Sequence, residues 1–176
     1  MAPEKSYVEA ILTFDGKHML ELRSCVLNDE FSSDDIDVLI EFSTAETTRI
    51  KTASTWILKN LIENGRGISA RQLNAWATLA QGYDHWESAL HFCQSIKHLN
   101  VQKKELSKVV TQLERCLKHS RPLVGVWALD GLVHLSDYHS RLVPKVVAAL
   151  EEMRHLSKPS VKARIRNLVK KRPHLR

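Results

Sequence analysis

The chain has 176 residues, of which 43% are hydrophobic and 26% charged, so it can bury the core of an ordinary domain and does not have the composition of a disordered chain. Its apolar runs are far shorter than the roughly 20 residues that a membrane-spanning helix needs, and its first residues lack the cationic and apolar parts of a secretory signal. We therefore expect a soluble protein without membrane contact, working in the cytoplasm, or in the nucleus if the cell is eukaryotic.

The formal net charge of +6 is distributed unevenly along the chain. Residues 29–46 contain seven acidic side chains and no basic one, whereas residues 158–176 contain eight basic side chains and no acidic one. The basic character is therefore a property of the C-terminal end rather than of the whole surface.

Helical signals recur along the whole chain, and signals for β-strands are nearly absent. Apolar residues return at the three- and four-residue spacing of an amphipathic helix, and glycine and proline are few. In chain order, this spacing predicts helices over residues 4–14, 17–27, 33–42, 44–63, 69–81, 84–98, 102–119, 122–136, 139–156 and 159–171.

Capping signals mark several of these boundaries. A hydroxyl or carboxylate side chain followed three residues later by an acid or amide is typical of a helix start, because the two side chains satisfy free backbone N–H groups. This pattern predicts helix starts at Ser6, Ser43, Ser69 and Asp84. Residues that tolerate a left-handed backbone predict helix ends at Gly16, Gly65, Gly82 and Asn100.

The predicted helices repeat with a period of about three dozen residues. A small residue inside alternate helices recurs at intervals of 36, 39 and 35, at Ala53, Ala89, Ala128 and Ala163. An apolar residue of the intervening helices recurs at intervals of 36 and 37, at Leu73, Val109 and Val146. Such a period is typical of an α-α superhelix, in which each helix pair buries its apolar faces against its neighbours.

Residues 121–132, 142–150 and 160–164 resemble consecutive helices of HEAT repeats, which form armadillo-like α-α superhelices. The resemblance is a pattern of residue classes, and the usual Asp-Xaa-Xaa-Xaa-Val-Arg turn is reduced to residues 159–162. Another α-α superhelix and a compact helical bundle therefore stay open as alternatives.

The resemblance implies an all-α fold with about four HEAT-like helix pairs. These pairs would occupy residues 43–171. Residues 1–42 would form an N-terminal helical cap or a divergent repeat, and residues 172–176 a basic tail.

The resemblance also implies binding rather than catalysis, because a HEAT-like stack leaves free an extended concave surface made by its second helices. We expect a scaffold or adaptor that holds an acidic or extended segment of a protein partner there. The helix spacing assigns to this surface Arg71, Asn74, Thr78, Gln81, Lys104, Lys108, Gln112, Arg141, Lys145 and Glu152.

The basic C-terminal end is a second candidate contact surface. Closely spaced cations attract phosphates through counterion release, so a nucleic-acid-binding module is the alternative function. The same cations could meet the acidic segment 29–46 of another copy, which leaves self-association open, and a solvated helix without a binding role is the third interpretation. Besides the terminal Arg176, the cations of this end are the candidate contact residues Lys158, Lys162, Arg164, Arg166, Lys170, Lys171 and Arg172.

Four further side chains are candidates for exposed contacts: Trp56, Trp127, Asp130 and His134. Asp130 and His134 are four residues apart on one predicted helix, which predicts a shared hydrogen bond and a raised imidazole pKa. An acid near a tryptophan also resembles HEAT-like DNA alkylation-repair glycosylases, in which such residues contact damaged DNA. That resemblance implies a less favoured third function, and a structural Asp–His pair is its alternative.

No pattern in the sequence predicts a catalytic or metal site. The nine histidines form no HExxH motif, and the chain has no glycine-rich phosphate loop or GxSxG motif. Cys25, Cys93 and Cys116 are far apart within helical patterns, which predicts buried thiols in a reducing compartment. We expect no enzymatic activity, no cofactor and no metal.

Overall fold

The computed structural model describes residues 6–155, 159–170, 172 and 175. In this part of the chain the protein is all-α, with 76% of residues in helices and no β-strand. Short 3-10 turns cover Ile96–His98 and Ser140–Leu142. The described residues form ten α-helices: α1 Ser6–Thr13, α2 Leu20–Asn28, α3 Ser33–Phe42, α4 Thr48–Glu63, α5 Ala70–Ala80, α6 Trp86–Ser95, α7 Lys103–Leu117, α8 Pro122–Ser136, α9 Val143–Arg154 and α10 Pro159–Lys170.

The capping signals predicted one helix start correctly and misplaced another. At Ser69 the predicted capping box is confirmed. The backbone N–H of Gln72 donates to the Ser69 hydroxyl at 3.2 Å, and the backbone N–H of Ser69 donates to the Gln72 side-chain oxygen at 2.9 Å. The start predicted at Ser43 is wrong, because this buried serine closes α3 by donating to the Ile40 carbonyl at 2.6 Å. α4 begins five residues later, at Thr48.

Of the other predicted helix boundaries, some are confirmed and some are wrong. Gly16 and Gly65 have the left-handed backbone that a helix end requires, with φ of +90° and +87°. Gly82 and Asn100 do not have positive φ, and α5 already ends at Ala80 and α6 at Ser95, so the left-handed helix ends predicted at these two residues are wrong. Asp84 does not cap α6, since its carboxylate accepts from Lys51 Nζ at 2.9 Å.

Alternate helices pack side by side in two rows. α4 packs against α6, α6 against α8 and α8 against α10, and we call these four helices the first row. α3 packs against α5 and α5 against α7; with α9, which an ion pair between Lys145 and Glu114 joins to α7, they form the second row. The all-α class is thus confirmed, whereas the superhelix of repeats stays a prediction.

The alanine and apolar series of the sequence follow these rows. Ala53, Ala89 and Ala128 are buried in three successive helices of the first row, where a small side chain lets neighbouring helices approach. Ala163, the fourth alanine of the series, is only half-buried in α10. The buried apolar series of α5, α7 and α9 in the second row is Leu73, Val109 and Val146.

α8 lies at the centre of the packing, with contacts to α6, α7, α9 and α10. This position explains why apolar residues cover most of its circumference. It also explains two interior glycines, which cost helix propensity. A Cβ atom at Gly125 would lie 3.1 Å from the Leu117 carbonyl oxygen, and one at Gly131 would lie 3.3 Å from the Leu113 methyl carbons.

Buried apolar side chains form one continuous core from Tyr7 to Leu175. The two ends of this core use different neighbours: α1 packs against α2 and α4, whereas α10 packs against α8 and α9. Among the described helices, none combines the length and apolar content that crossing a bilayer requires.

Candidate functional site

The outward side chains of the second row form one polar surface, because contacts link each helix to the next. The Arg71 guanidinium of α5 donates to Asp37 of α3 at 2.6 Å. Lys108 Nζ of α7 donates to the Thr78 hydroxyl of α5 at 3.0 Å. We define the polar face as Arg71, Asn74, Thr78, Gln81, Lys104, Lys108 and Lys145.

Seven of the ten predicted partner-binding residues form the polar face, and Glu152, an exposed acid of α9, is not part of it. Gln112 and Arg141 also lie elsewhere. Gln112 is buried at 1% exposure, and its amide donates to Cys116 Sγ at 3.3 Å. Arg141 is exposed but belongs to the 3-10 turn before α9, because that helix begins at Val143 rather than at residue 139. The helix spacing predicted the row and missed these two orientations.

Two cations of the polar face, Arg71 and Lys145, are paired with carboxylates of the same chain. The Arg71 hydrogen bond, followed by that of Gln72, holds the pKa of Asp37 below its usual value. Lys145 pairs with Glu114, whose side chain is 42% exposed. Lys104 is exposed in the first turn of α7 and leaves that part of the face positive.

The basic end divides into two groups of cations. Lys162, Arg166 and Lys170 are exposed on α10 and, with Arg154, line an open depression of about 930 Å³. Arg164 and Arg172 instead turn towards α8. Lys158 and Lys171, which belong to the same prediction, lie outside the described residues.

The inward cations fasten the C-terminal end to α8. Arg164 donates to the Asp130 carboxylate. The guanidinium of Arg172 donates to both carboxylate oxygens of Asp137, and these Arg172 hydrogen bonds measure 2.6 to 3.0 Å. This bidentate contact raises the pKa of Arg172. The prediction counted both arginines as contact residues, but the structure engages them in packing.

Trp127 is a half-buried residue of α8 with cations over its ring. The Arg164 Cζ atom lies 4.1 Å from the ring centroid, and Lys97 Nζ lies 5.0 Å from it. Arg164 also pairs with Asp130, so the acid and the tryptophan share one arginine. The Asp130 carboxylate is therefore engaged in an ion pair within the chain.

His134 differs from its prediction. Asp130 accepts from Arg164 rather than from His134, and the imidazole packs edge-on against Tyr138 with ring centroids 5.4 Å apart. Burial lowers the pKa of His134, although the carboxylates of Asp137 and Asp130 oppose that effect. The predicted increase in pKa is therefore wrong, because removal from water outweighs the nearby negative charge.

Trp56 is half-buried and packs against the core, so it is not a fully exposed contact. Sequence reasoning missed a different aromatic contact, at Trp86, the first residue of α6. The Arg121 Cζ atom lies 4.3 Å from the centroid of its ring. Nothing in the spacing of residues 86 and 121 could have indicated this pair, since tertiary packing alone brings them together.

The acidic segment 29–46 contributes several of its carboxylates to the fold. Asp35 is buried at 4% exposure, accepts from the Tyr7 hydroxyl at 2.9 Å and completes a capping box with Ser32. Asp29 accepts from Ser6 at 2.5 Å. The acids that stay exposed at this end are Glu30, Asp34, Glu41 and Glu46.

The described residues contain no group of three or more histidine, cysteine or acidic side chains placed to hold a metal ion. Cys25, Cys93 and Cys116 are buried free thiols, as predicted. His91 is also buried, and its Nδ1 atom lies 2.9 Å from the Thr55 hydroxyl. Burial lowers the pKa of His91 to about 3.

Comparison of this chain with protein-family models, with curated proteins and with solved structures gives no match.

Proposed function

We propose that this protein is a non-enzymatic HEAT-like scaffold or adaptor that binds an acidic or extended segment of a protein partner. The polar face is the main contact surface, and the exposed cations of α10 extend it. The observation that supports this proposal most strongly is the row of contacts that joins α3, α5, α7 and α9 at the surface. Such a row presents side chains of separate helices to one partner.

The proposed superhelix is supported by the sequence separation of the side-chain contacts within each row of helices. Side-chain contacts of the first row join residues about one period apart, including Lys51 with Asp84 and Asp130 with Arg164, at separations of 33 and 34. In the second row Arg71 and Asp37 are 34 apart. A stack of helix pairs produces this regularity, because each pair repeats the contacts of the previous one.

Charge favours an acidic partner. Cations outnumber acids among the exposed side chains of α7, where Lys103, Lys104 and Arg115 are exposed and Glu105 is buried. A positive surface speeds the encounter with a negative one and disfavours basic partners. The buried thiols support a reducing compartment, and we propose the cytoplasm.

Affinity capture from native lysate tests the proposal when the full chain is compared with Lys104→Glu/Lys108→Glu. We expect a protein that the wild-type chain retains after nuclease treatment and that the double variant loses. Lys17→Glu/Lys118→Glu is the matched control, because both lysines are exposed, lie outside the polar face and carry the same change of charge. Equal capture by both variants would contradict the proposal.

A nucleic-acid-binding module is the second candidate, favoured by the exposed cations around the 930 Å³ depression of α10. Binding of a random DNA duplex as a function of salt distinguishes the two. Nucleic acid as the partner requires micromolar affinity that falls steeply with added salt, because phosphate contacts release counterions. Our proposal expects weak binding even at low salt.

A further inference from the structure

A second surface lies at the N-terminal ends of three first-row helices, away from the polar face. The first residues of α6, α8 and α10 meet there around a groove of about 580 Å³. This volume is within the range of about 300 to 1,000 Å³ that is usual for ligand pockets. We call it the aromatic groove and define it by Trp86, Arg121, Leu123, Trp127, Val161 and Arg164.

The groove has an apolar part that is open to solvent. Leu123, in the first turn of α8, is 50% exposed, and both tryptophans are half-buried. An exposed apolar patch is typical of an interaction site, and tryptophan and arginine are enriched among the residues that contribute most of the binding energy at protein interfaces.

The groove also has a positive part. Arg121 and Arg164 each lie over one tryptophan ring, at 4.3 and 4.1 Å from its centroid. Arg164 is already paired with Asp130, whereas the Arg121 side chain is exposed and keeps N–H donors available beside Leu123. None of the described residues that line the groove is acidic.

Three helix N-termini add to this positive potential, because unsatisfied N–H groups give a helix start a partial positive charge. The starts of α6, α8 and α10 all border the groove through Trp86, Pro122 and Ser160. An anionic occupant is therefore favoured by side chains and backbone together. The exposed leucine favours an occupant that also has an apolar side chain.

These contacts are less suited to a nucleic acid. Each tryptophan ring already has an arginine over it, so a base would have to displace a cation in order to stack there. A phosphate backbone would leave the exposed Leu123 side chain facing a polar ligand. A protein segment satisfies both parts of the groove.

We infer that the aromatic groove binds an acidic segment of another protein, which inserts one large apolar side chain beside Leu123 and Trp127 and sets its carboxylates beside Arg121. This site is separate from the polar face, so it can be tested independently of the proposed function.

Selection of random peptides displayed on phage against the immobilised full chain tests this inference. We expect an enriched consensus in which acidic residues flank one large apolar residue. A labelled peptide of that consensus should bind Arg121→Glu and Leu123→Asp about tenfold more weakly, or worse, than the wild-type chain. Arg115→Glu is the matched control, because this exposed arginine of α7 lies outside the groove.

Because both substituted side chains are exposed or half-exposed, the variants should keep the wild-type helical content, which circular dichroism checks. Leu123→Ser is a milder second variant and should weaken binding in the same direction. A basic consensus, no consensus, or equal binding by Arg121→Glu would overturn the inference. The inference would also be overturned if Arg121→Glu weakened the binding of a random DNA duplex, or self-association measured by sedimentation, while it affected the binding of no peptide.

Discussion

The two rows of helices use the same kinds of polar contact at different depths. In the first row, His91 meets Thr55 inside the core, and Asp130, with a side chain 14% exposed, holds Arg164. In the second row, Lys145 and Glu114 are 50% and 42% exposed. A polar contact away from water is costly to break, whereas an exposed one exchanges easily with solvent or with another molecule. We therefore expect these two contacts of the first row to contribute more to stability than the exposed Lys145–Glu114 pair of the second row.

The largest expected effect comes from the buried histidine of the first row. The folded chain keeps His91 neutral down to a pKa of about 3, whereas the unfolded chain binds a proton near pH 6.5. The free energy of unfolding therefore falls as the pH drops below about 6.5, and this loss is complete near pH 3. Between pH 7 and pH 5 we expect a decrease of about 2 kcal/mol, measured by urea denaturation.

His91→Gln should remove most of this pH dependence, because the titrating group is gone. His155→Gln is the control, since His155 is exposed and should leave the difference between pH 7 and pH 5 unchanged. An identical difference in wild type and His91→Gln would mean that burial of this histidine does not govern acid sensitivity.

An intermediate effect is expected at the contact between α8 and α10. Asp130→Ala leaves the Arg164 guanidinium half-buried over Trp127 without its carboxylate. Because this pair is only partly screened by water, we expect a loss of about 1.5 kcal/mol in the free energy of unfolding. Asp130→Asn keeps an acceptor for Arg164 and should lose less. Equal stability of wild type and Asp130→Ala would remove the energetic contrast between the rows.

The smallest effect is expected in the second row. A double-mutant cycle of Glu114→Ala and Lys145→Ala should give a coupling of about 0.5 kcal/mol or less, since both side chains are largely solvated. Urea denaturation of the four chains measures it. A coupling above 1 kcal/mol, on the order of a buried pair, would show that the polar face is part of the scaffold rather than a surface free to exchange.

Periodicity predicted the helices and the rows, because the buried face of a helix requires apolar residues three and four positions apart, and this spacing is visible in the sequence. Ala53, Ala89 and Ala128 marked the first row correctly. The cap at Ser43 was misplaced because two neighbouring helices can use the same serine, and only packing decides between them.

The candidate sites were harder to predict than the helices. The sequence assigned Arg164 and Arg172 to a basic surface, but acids from a helix about 35 residues earlier engage both. The aromatic groove depends on Trp86 of α6, Trp127 of α8 and Arg164 of α10 meeting across three helices, and no spacing rule predicts that these residues meet. Charge along a chain predicts where cations occur, not which of them reach solvent.

Zero-length carbodiimide cross-linking of the captured complex, followed by mass spectrometry, tests the binding role of the second row most directly, because this reagent joins lysines only to carboxylates in contact. We predict cross-links from carboxylates of the partner to Lys104, Lys108 and Lys145. Cross-links confined to Lys51 and Lys59 of the first row would contradict the account.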